Sequence, residues 1–369
     1  MSIRTIFKKY NGTLTGLFAL IFFIGMQSVI SGYVNLDTVY HYRIKYPIFL
    51  DDRTTFDVVV EEIANTIQKD KLEDYIIMAG NSVAWGTNER SDHSLGKYLN
   101  DLSQQNPQHR QVVFNLSMPS MQAGDIYTLL LMLEKKGIKT DNLIIGLTYS
   151  AFVDRSEGPR AVFWLGDHLR QLDPPSFADV KDQLIKDYYV YKTGWSYIED
   201  TYTHKLLNIF PLYKYKGIIE SYWEQEKKDS DLLGNPKPWY EKKYTDDRLQ
   251  RPEYLSFFNP EPFVMEESNW GVYFMNKIIK HQAGKNMLVF VAGGNSELSK
   301  KEVSTTGYQQ NLLAINKYLQ DNNVDFINLQ DKIPSDYFTD HVHLTKDGNK
   351  LLADIVWGLW QERRTGNAL

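Results

Sequence analysis

Apolar positions along this chain keep two alternating rhythms. Compact apolar runs at residues 74–79, 111–116, 142–147, 286–292 and 324–329 read as strands buried on both faces. Between them, apolar residues recur three and four apart. Leu95, Tyr98, Leu99 and Leu102 form one such stripe, and Ile126, Leu129, Leu130 and Leu133 a second within Asp125–Lys136, which Gly137 stops. Asn269–His281, Tyr308–Leu319 and a last segment reaching Trp360 repeat the pattern. Strand and helix in alternation predict an α/β fold, a doubly wound (flavodoxin-like) parallel sheet with right-handed crossovers.

The rhythm breaks over residues 155–265. This stretch is denser in aromatics than the 14% of the whole chain, with Phe163, Trp164, Tyr188, Tyr189, Tyr191, Trp195, Tyr197, Tyr222, Trp223, Trp239 and Tyr240 among them. It reads as a mostly helical insertion, with helices expected over Asp187–Tyr202 and Leu206–Gln225. Its aromatic side chains suit either the core of a small subdomain or contact with sugar rings and lipid. Upstream, Phe56, Val59, Val60, Ile63 and Ile67 mark a packing helix with Thr54 or Thr55 as its N-cap.

The N-terminus changes the picture further. Arg4, Lys8 and Lys9 come first, and no charge follows from Tyr10 to Leu36. About twenty apolar residues span a bilayer as a helix, and the basic flank stays in the cytoplasm. The expected division is therefore a cytoplasmic N-terminus (1–11), a transmembrane anchor (12–33) and a linker with packing helix (34–73). The first half of the core (74–154), the insertion (155–265) and the second half of the core (266–369) follow outside the cell membrane. A cleaved signal peptide, with Val29 and Ser31 at the −3 and −1 positions, is the competing reading; it delivers the same domain to the same side.

Net charge is −5, which argues against a nucleic-acid partner. The chain has no cysteine, so thiolate catalysis, disulfides and Cys-based metal sites are excluded. No P-loop and no Gly-x-Gly-x-x-Gly motif occurs, and no cofactor is expected.

The chemistry concentrates in two places. Asp340 and His343 stand two residues apart on a turn just before the last helix. An imidazole oriented by a carboxylate is the general-base half of a nucleophilic triad. Ser82 closes Gly80-Asn81-Ser82 directly after the first strand, at the C-terminal edge where a parallel sheet exposes reactive groups. His341, beside Asp340, is either a surface histidine or a substrate contact. Asp340, His341 and His343 have the ligand types for a metal, but no second ligand cluster supports one.

In the order and context of these blocks the sequence resembles the SGNH (GDSL-type) esterases and acyltransferases. In that family the serine follows the first strand, and a late Asp-x-x-His block carries acid and base, continuing here with Leu344 and Gly348. The resemblance covers roughly 74–150 and 286–360 and implies Ser82, His343 and Asp340 as catalytic residues. It implies oxyanion donors at the Ser82 N–H and in the Asn115–Ser120 turn, where Ser120 or Ser117 stands in place of the usual Gly. The family's Asn block after the third strand is missing: Gly146-Leu147-Thr148-Tyr149 stands there, leaving Thr148 or Asn295 as substitutes. Asn295 is equally read as a residue that only stabilises its turn.

That departure, the anchor and the insertion are similar to the membrane-anchored acyltransferase branch (DltD-like and AlgJ/AlgX-like proteins). The resemblance implies transfer of an acetyl or D-alanyl type group through an acyl-serine to a cell-surface polysaccharide or polyol. It also implies a membrane-bound O-acyltransferase as partner. A membrane-anchored carbohydrate esterase, or a degenerate binding subunit of the same fold, are the alternatives.

Overall fold

A computed structural model describes residues 3–49, 54–105, 110–153, 158–187, 189–225, 231–243 and 249–364. Tyr188, and the side chains of Arg4, Lys8, Lys9, Thr54, Thr55, Tyr222 and Trp223, lie outside the described residues. The chain divides into two compact units: Met1–Tyr40 with Lys45–Glu62 and Lys192–Lys228, and His41–Ile44 with Ile63–Tyr191 and Asp229–Leu369.

The second unit is built on five parallel strands: β1 (Tyr75–Gly80), β2 (Val112–Asn115), β3 (Asn142–Thr148), β4 (Asn286–Ala292) and β5 (Asp325–Asn328). Their order is β2-β1-β3-β4-β5. All pairings are parallel; Ile77 aligns with Phe114 on one side and Leu143 on the other. All six residues of β1 are buried, as a strand covered on both faces requires. Helices Leu95–Gln104 and Lys346–Arg364 pack together, as do Ala123–Lys135 and Trp270–His281. The sequence therefore places all five strands correctly to within a residue or two.

β2 is an edge strand, and its open side is closed by side chains. Asn100 both donates to the Val113 carbonyl (2.9 Å) and accepts from its N–H (3.0 Å), standing in for a further strand. Ser103 does the same for Gln111. Unpaired strand edges invite association, and these contacts satisfy them internally.

The insertion departs from expectation in its helices. Pro174–Lys186 is helical, although no element is assigned there from the sequence. The signals are present: Pro174 and Pro175 occupy the first turn and Asp173 caps the Ser176 N–H at 3.1 Å. The helix expected over Asp187–Tyr202 instead begins at Gly194, whose φ of +55 breaks the path into it. The one expected over Leu206–Gln225 is cut at residues 208–210 by a turn before Pro211, giving Gly194–Leu207, Pro211–Lys214 and Lys216–Gln225. Pro211 has no N–H to continue the ladder, so a helix ends ahead of it and a new one opens on it.

Within the second unit, Asp125 fastens the segment 163–165 to the helix that follows β2. Its fully buried carboxylate accepts N–H bonds from Gln122, Phe163, Trp164 and Leu165 at 2.8–2.9 Å. Burial pushes this carboxyl up to about 6, with the four backbone donors pulling the other way.

The first unit contains the N-terminal helix Ile3–Tyr33. Its stretch Thr13–Tyr33 is long and apolar enough to cross a membrane. Asn35 and Thr38 form a reciprocal capping box just after it.

Candidate active site

In a sheet of this order the chain runs outward from β1 to β2 and then returns to β3, so the crevice opens at the C-terminal ends of β1 and β3. Ser82 sits there. It opens a short helix, Ser82–Trp85, with Asn81 as N-cap accepting from Val83 N–H at 3.1 Å. The tightness of this turn explains Gly80: a Cβ there would lie 2.4 Å from the Gly146 carbonyl and 2.8 Å from Ala84 Cβ. With no side chain at 80, the turn packs directly on β3 and lifts the serine to the tip.

His343 Nε2 lies 2.8 Å from Ser82 Oγ. On the other side of the ring, Nδ1 is 2.8 Å from Asp340 Oδ2 and 3.1 Å from Oδ1. Nδ1–H donates to the carboxylate, so Nε2 is the acceptor for the serine hydroxyl. The spacing of Asp340 and His343 is fixed locally. Asp340 Oδ1 accepts from the N–H groups of Val342 (3.0 Å) and His343 (2.8 Å), curling the turn round its own side chain. Thr339 closes the turn by donating from its N–H to the His343 carbonyl at 2.7 Å. Burial alone would raise the Asp340 carboxyl. The charge and hydrogen bond of His343, with His341 and the Val342 N–H, outweigh it and hold the carboxyl well below the usual range.

The remaining expected site residues fall into place around this chain of contacts. Thr148, at the end of β3, accepts at its hydroxyl from Asn81 Nδ2 (3.0 Å) and shares a hydrogen bond with Ser150. It therefore holds the residue ahead of Ser82. Asn295 is fully buried below the other side of the site. Its N–H donates to the His341 carbonyl (2.8 Å) and its amide to the Asp340 carbonyl (3.3 Å), while Oδ1 accepts from Glu297 and Leu298. Those contacts grip the Asp340–His341 backbone.

Ser120 has a φ of +63. Left-handed backbone is where glycine is at ease, which accounts for the Gly expected at this position; here a serine adopts the same conformation. The turn is docked by the Met118 N–H on the Gly80 carbonyl and by Asn115, whose amide donates to the Ala84 carbonyl. Ser117 Oγ is buried with no hydrogen-bond partner among the described residues.

His341 is partly buried against aromatic rings. Its ring meets those of Tyr254, Phe257 and Phe258 edge-on at centroid distances of 5.0, 5.2 and 5.9 Å. Among the described residues no cluster of three or more His, Asp or Glu is arranged to hold a metal ion.

Two contributors escaped the sequence reading. Asn88 donates to Asp340 Oδ2 (3.0 Å) and to Thr339 Oγ1 (2.7 Å), and accepts from Asn235 N–H (3.3 Å). It thus ties the aspartate to residues 231–243, which also reach the Asp340 loop through Trp239 N–H to Phe338 and Lys242 Nζ to the Thr339 carbonyl. Arg43 is almost wholly buried, stacked 3.7 Å over Trp85 and donating to the carbonyls of Trp85, Gly86, Glu89 and Asp231. Burial pulls its guanidinium down to about 10 against the opposing charge of Asp231. A Gly86-Thr87-Asn88 turn after the short helix was the only signal for Asn88; for Arg43 the sequence offers none.

Fold and site together define a doubly wound α/β protein with a serine–histidine–aspartate array at its topological switch point. No family model matches the sequence, and no curated protein matches it. The chain is similar to a solved acetyl xylan esterase (Est2A) from the rumen bacterium Butyrivibrio proteoclasticus, at 10% identity and a TM-score of 0.33. The match covers 80% of this chain but 64% of that one, so less than two thirds of that structure is represented.

Proposed function

We propose that this protein is an SGNH-type serine acyltransferase, anchored by its N-terminal helix with the catalytic unit outside the cell membrane. The observation that carries the reading is the continuous hydrogen-bonded path Asp340–His343–Ser82, with 2.8 Å at each link. Ser82 Oγ attacks the acyl carbonyl carbon while its proton passes to His343 Nε2, and Asp340 stabilises the imidazolium. The oxyanion is held by the backbone N–H groups of Ser82 and Ser120, neither of which has a hydrogen-bond partner among the described residues. The Asn295 and Thr148 side chains serve by positioning, through the contacts given above. Collapse of the tetrahedral intermediate returns the proton from His343 to the departing oxygen and leaves an ester on Ser82. An acceptor hydroxyl then gives its proton to His343, attacks that ester and restores the serine.

The acceptor in this reading is a cell-surface polysaccharide or polyol, and the acyl group is acetyl or D-alanyl. A membrane-bound O-acyltransferase partner would supply the acyl group. Water as acceptor makes the same site a deacylase. The test is the intact mass of the full chain after incubation with p-nitrophenyl acetate. An acetyl adduct on Ser82, absent from Ser82→Ala and His343→Ala, is expected; an unmodified Ser82 in folded protein rejects the enzyme reading. Release of that adduct faster with added saccharide than with water alone supports transfer, and an acceptor-independent rate supports hydrolysis.

A further inference from the structure

The first unit carries an apolar surface that the catalytic reading does not use. Along Gly194–Leu207 and the turn after it, Trp195, Ile198, Tyr202, Leu206 and Ile209 recur three and four residues apart and form one stripe. All five are exposed, Trp195 by 83% and Ile209 by 69%. A helix in water turns such a stripe inward. Here it faces out.

The far end of the stripe is placed by its contacts with the N-terminal helix. Phe210 packs on Phe23 with ring centroids 5.8 Å apart, and the Leu212 N–H donates to Gln27 Oε1 at 2.9 Å. Phe23 stands midway along the apolar stretch Thr13–Tyr33. At 1.5 Å per residue it lies about 15 Å from either end, near the centre of a hydrocarbon layer about 30 Å thick. The hydrogen bond has the chemistry such a depth demands. Leu212 belongs to the first turn of a helix, where N–H groups have no internal partner, and an unsatisfied backbone donor is costly in lipid. Gln27, a polar residue in an apolar helix, supplies the acceptor. Trp195, at the other end of the stripe, is a residue type favoured at the membrane–water interface.

We infer that the turn between these helices, residues 206–212, is seated among the acyl chains of the outer leaflet beside the N-terminal helix, and that the exposed stripe is a lipid-facing surface. The inference rests on the N-terminal helix spanning the membrane. It gives the exposed stripe from Trp195 to Ile209 a partner, the bilayer, and makes the protein's membrane attachment two-part: one spanning helix and one wedge reaching about half-way in.

The absence of native cysteine permits a direct test on the full chain. Single cysteines at Leu206, Ile209, Phe18 and Leu313 are labelled with NBD, and each protein is reconstituted in phosphatidylcholine–phosphatidylglycerol vesicles containing acyl-chain nitroxide lipids. Phe18 reports the spanning helix. Leu313, 65% exposed on Thr306–Asp321, reports the second unit. Quenching and a blue shift at 206 and 209 comparable to those at 18, with a water-like signal at 313, is the expected result. Quenching at 18 with water-like probes at 206 and 209 overturns the wedge and leaves the anchor standing, as a surface reserved for a protein partner would. Quenching at 206 and 209 without quenching at 18 upholds a lipid-facing stripe and overturns the span. Water-like probes at all four positions overturn both.

Discussion

Asn88 offers the sharpest test of how the site is held. Its amide donates to Asp340 Oδ2 at 3.0 Å, on the same oxygen that receives His343 Nδ1–H at 2.8 Å. Removing that donor leaves Oδ2 held by His343 alone, while Oδ1 keeps its two backbone donors, and weakens the carboxylate's hold on the imidazole. The backbone at 88 has a φ of +72, so Asn88→Gly deletes the side chain without adding strain, whereas Ala would add about 1–2 kcal/mol of left-handed penalty. A hydrogen bond to a charged group contributes roughly 1.5–3 kcal/mol. If most of it is expressed in the transition state, acylation of Ser82 slows about 10- to 100-fold, since each ~1.4 kcal/mol is tenfold. Asn88→Asp should do worse. Two ionised carboxylates 3 Å apart repel by roughly 5 kcal/mol at an effective dielectric near 20, so one takes up a proton and the acid limb of the pH–rate profile moves upward. The assay is single-turnover release of p-nitrophenol against pH, with thermal melts confirming that each variant is folded. A folded Asn88→Gly enzyme within about twofold of wild type, or an Asn88→Asp enzyme whose acid limb is unshifted, refutes the positioning argument, which requires most of that bond to be expressed in the transition state.

Asn295→Ala removes the amide's bond to the Asp340 carbonyl and the acceptor for the Glu297 and Leu298 N–H groups, and leaves a buried cavity, so a fall in melting temperature is expected together with slower acylation. A slower enzyme with an unchanged melting temperature would instead mark Asn295 as a direct oxyanion donor. Ser120→Gly should keep its activity, because the proposed donor is the backbone N–H. Relief of about 1–2 kcal/mol of left-handed strain, set against about 0.5–1 kcal/mol of added chain entropy, leaves its melting temperature equal or slightly raised. Loss of acylation in that variant would assign the work to the Ser120 hydroxyl.

Much of this protein was legible in its sequence because the relevant forces are local or periodic. Parallel strands buried on both faces have to be apolar throughout, and the helices between them bury one stripe, so the pattern of apolar positions marks β1 to β5 and their crossovers. The Asp340–His343 pair is legible for a similar reason: the carboxylate accepts the N–H groups of residues two and three ahead, so its distance from the imidazole is set within one turn. Ser82 is legible because a strand's end opens onto the crevice. The helices expected over Asp187–Tyr202 and Leu206–Gln225 resisted, since their bounds are set by a glycine at 194 and a proline at 211 rather than by a core-facing period.

Tertiary structure alone decided which distant groups complete the site. Asn88 and Asp340 are brought to 3.0 Å across most of the chain, and nothing near either residue in sequence specifies that meeting. Asn295 likewise turns its amide on the Asp340 loop, and Thr148 its hydroxyl on Asn81, because the sheet order places the ends of β1, β3 and β4 side by side. A hydrogen bond depends on distance and direction between side chains, and for pairs this far apart in sequence those are set only when the whole sheet has assembled.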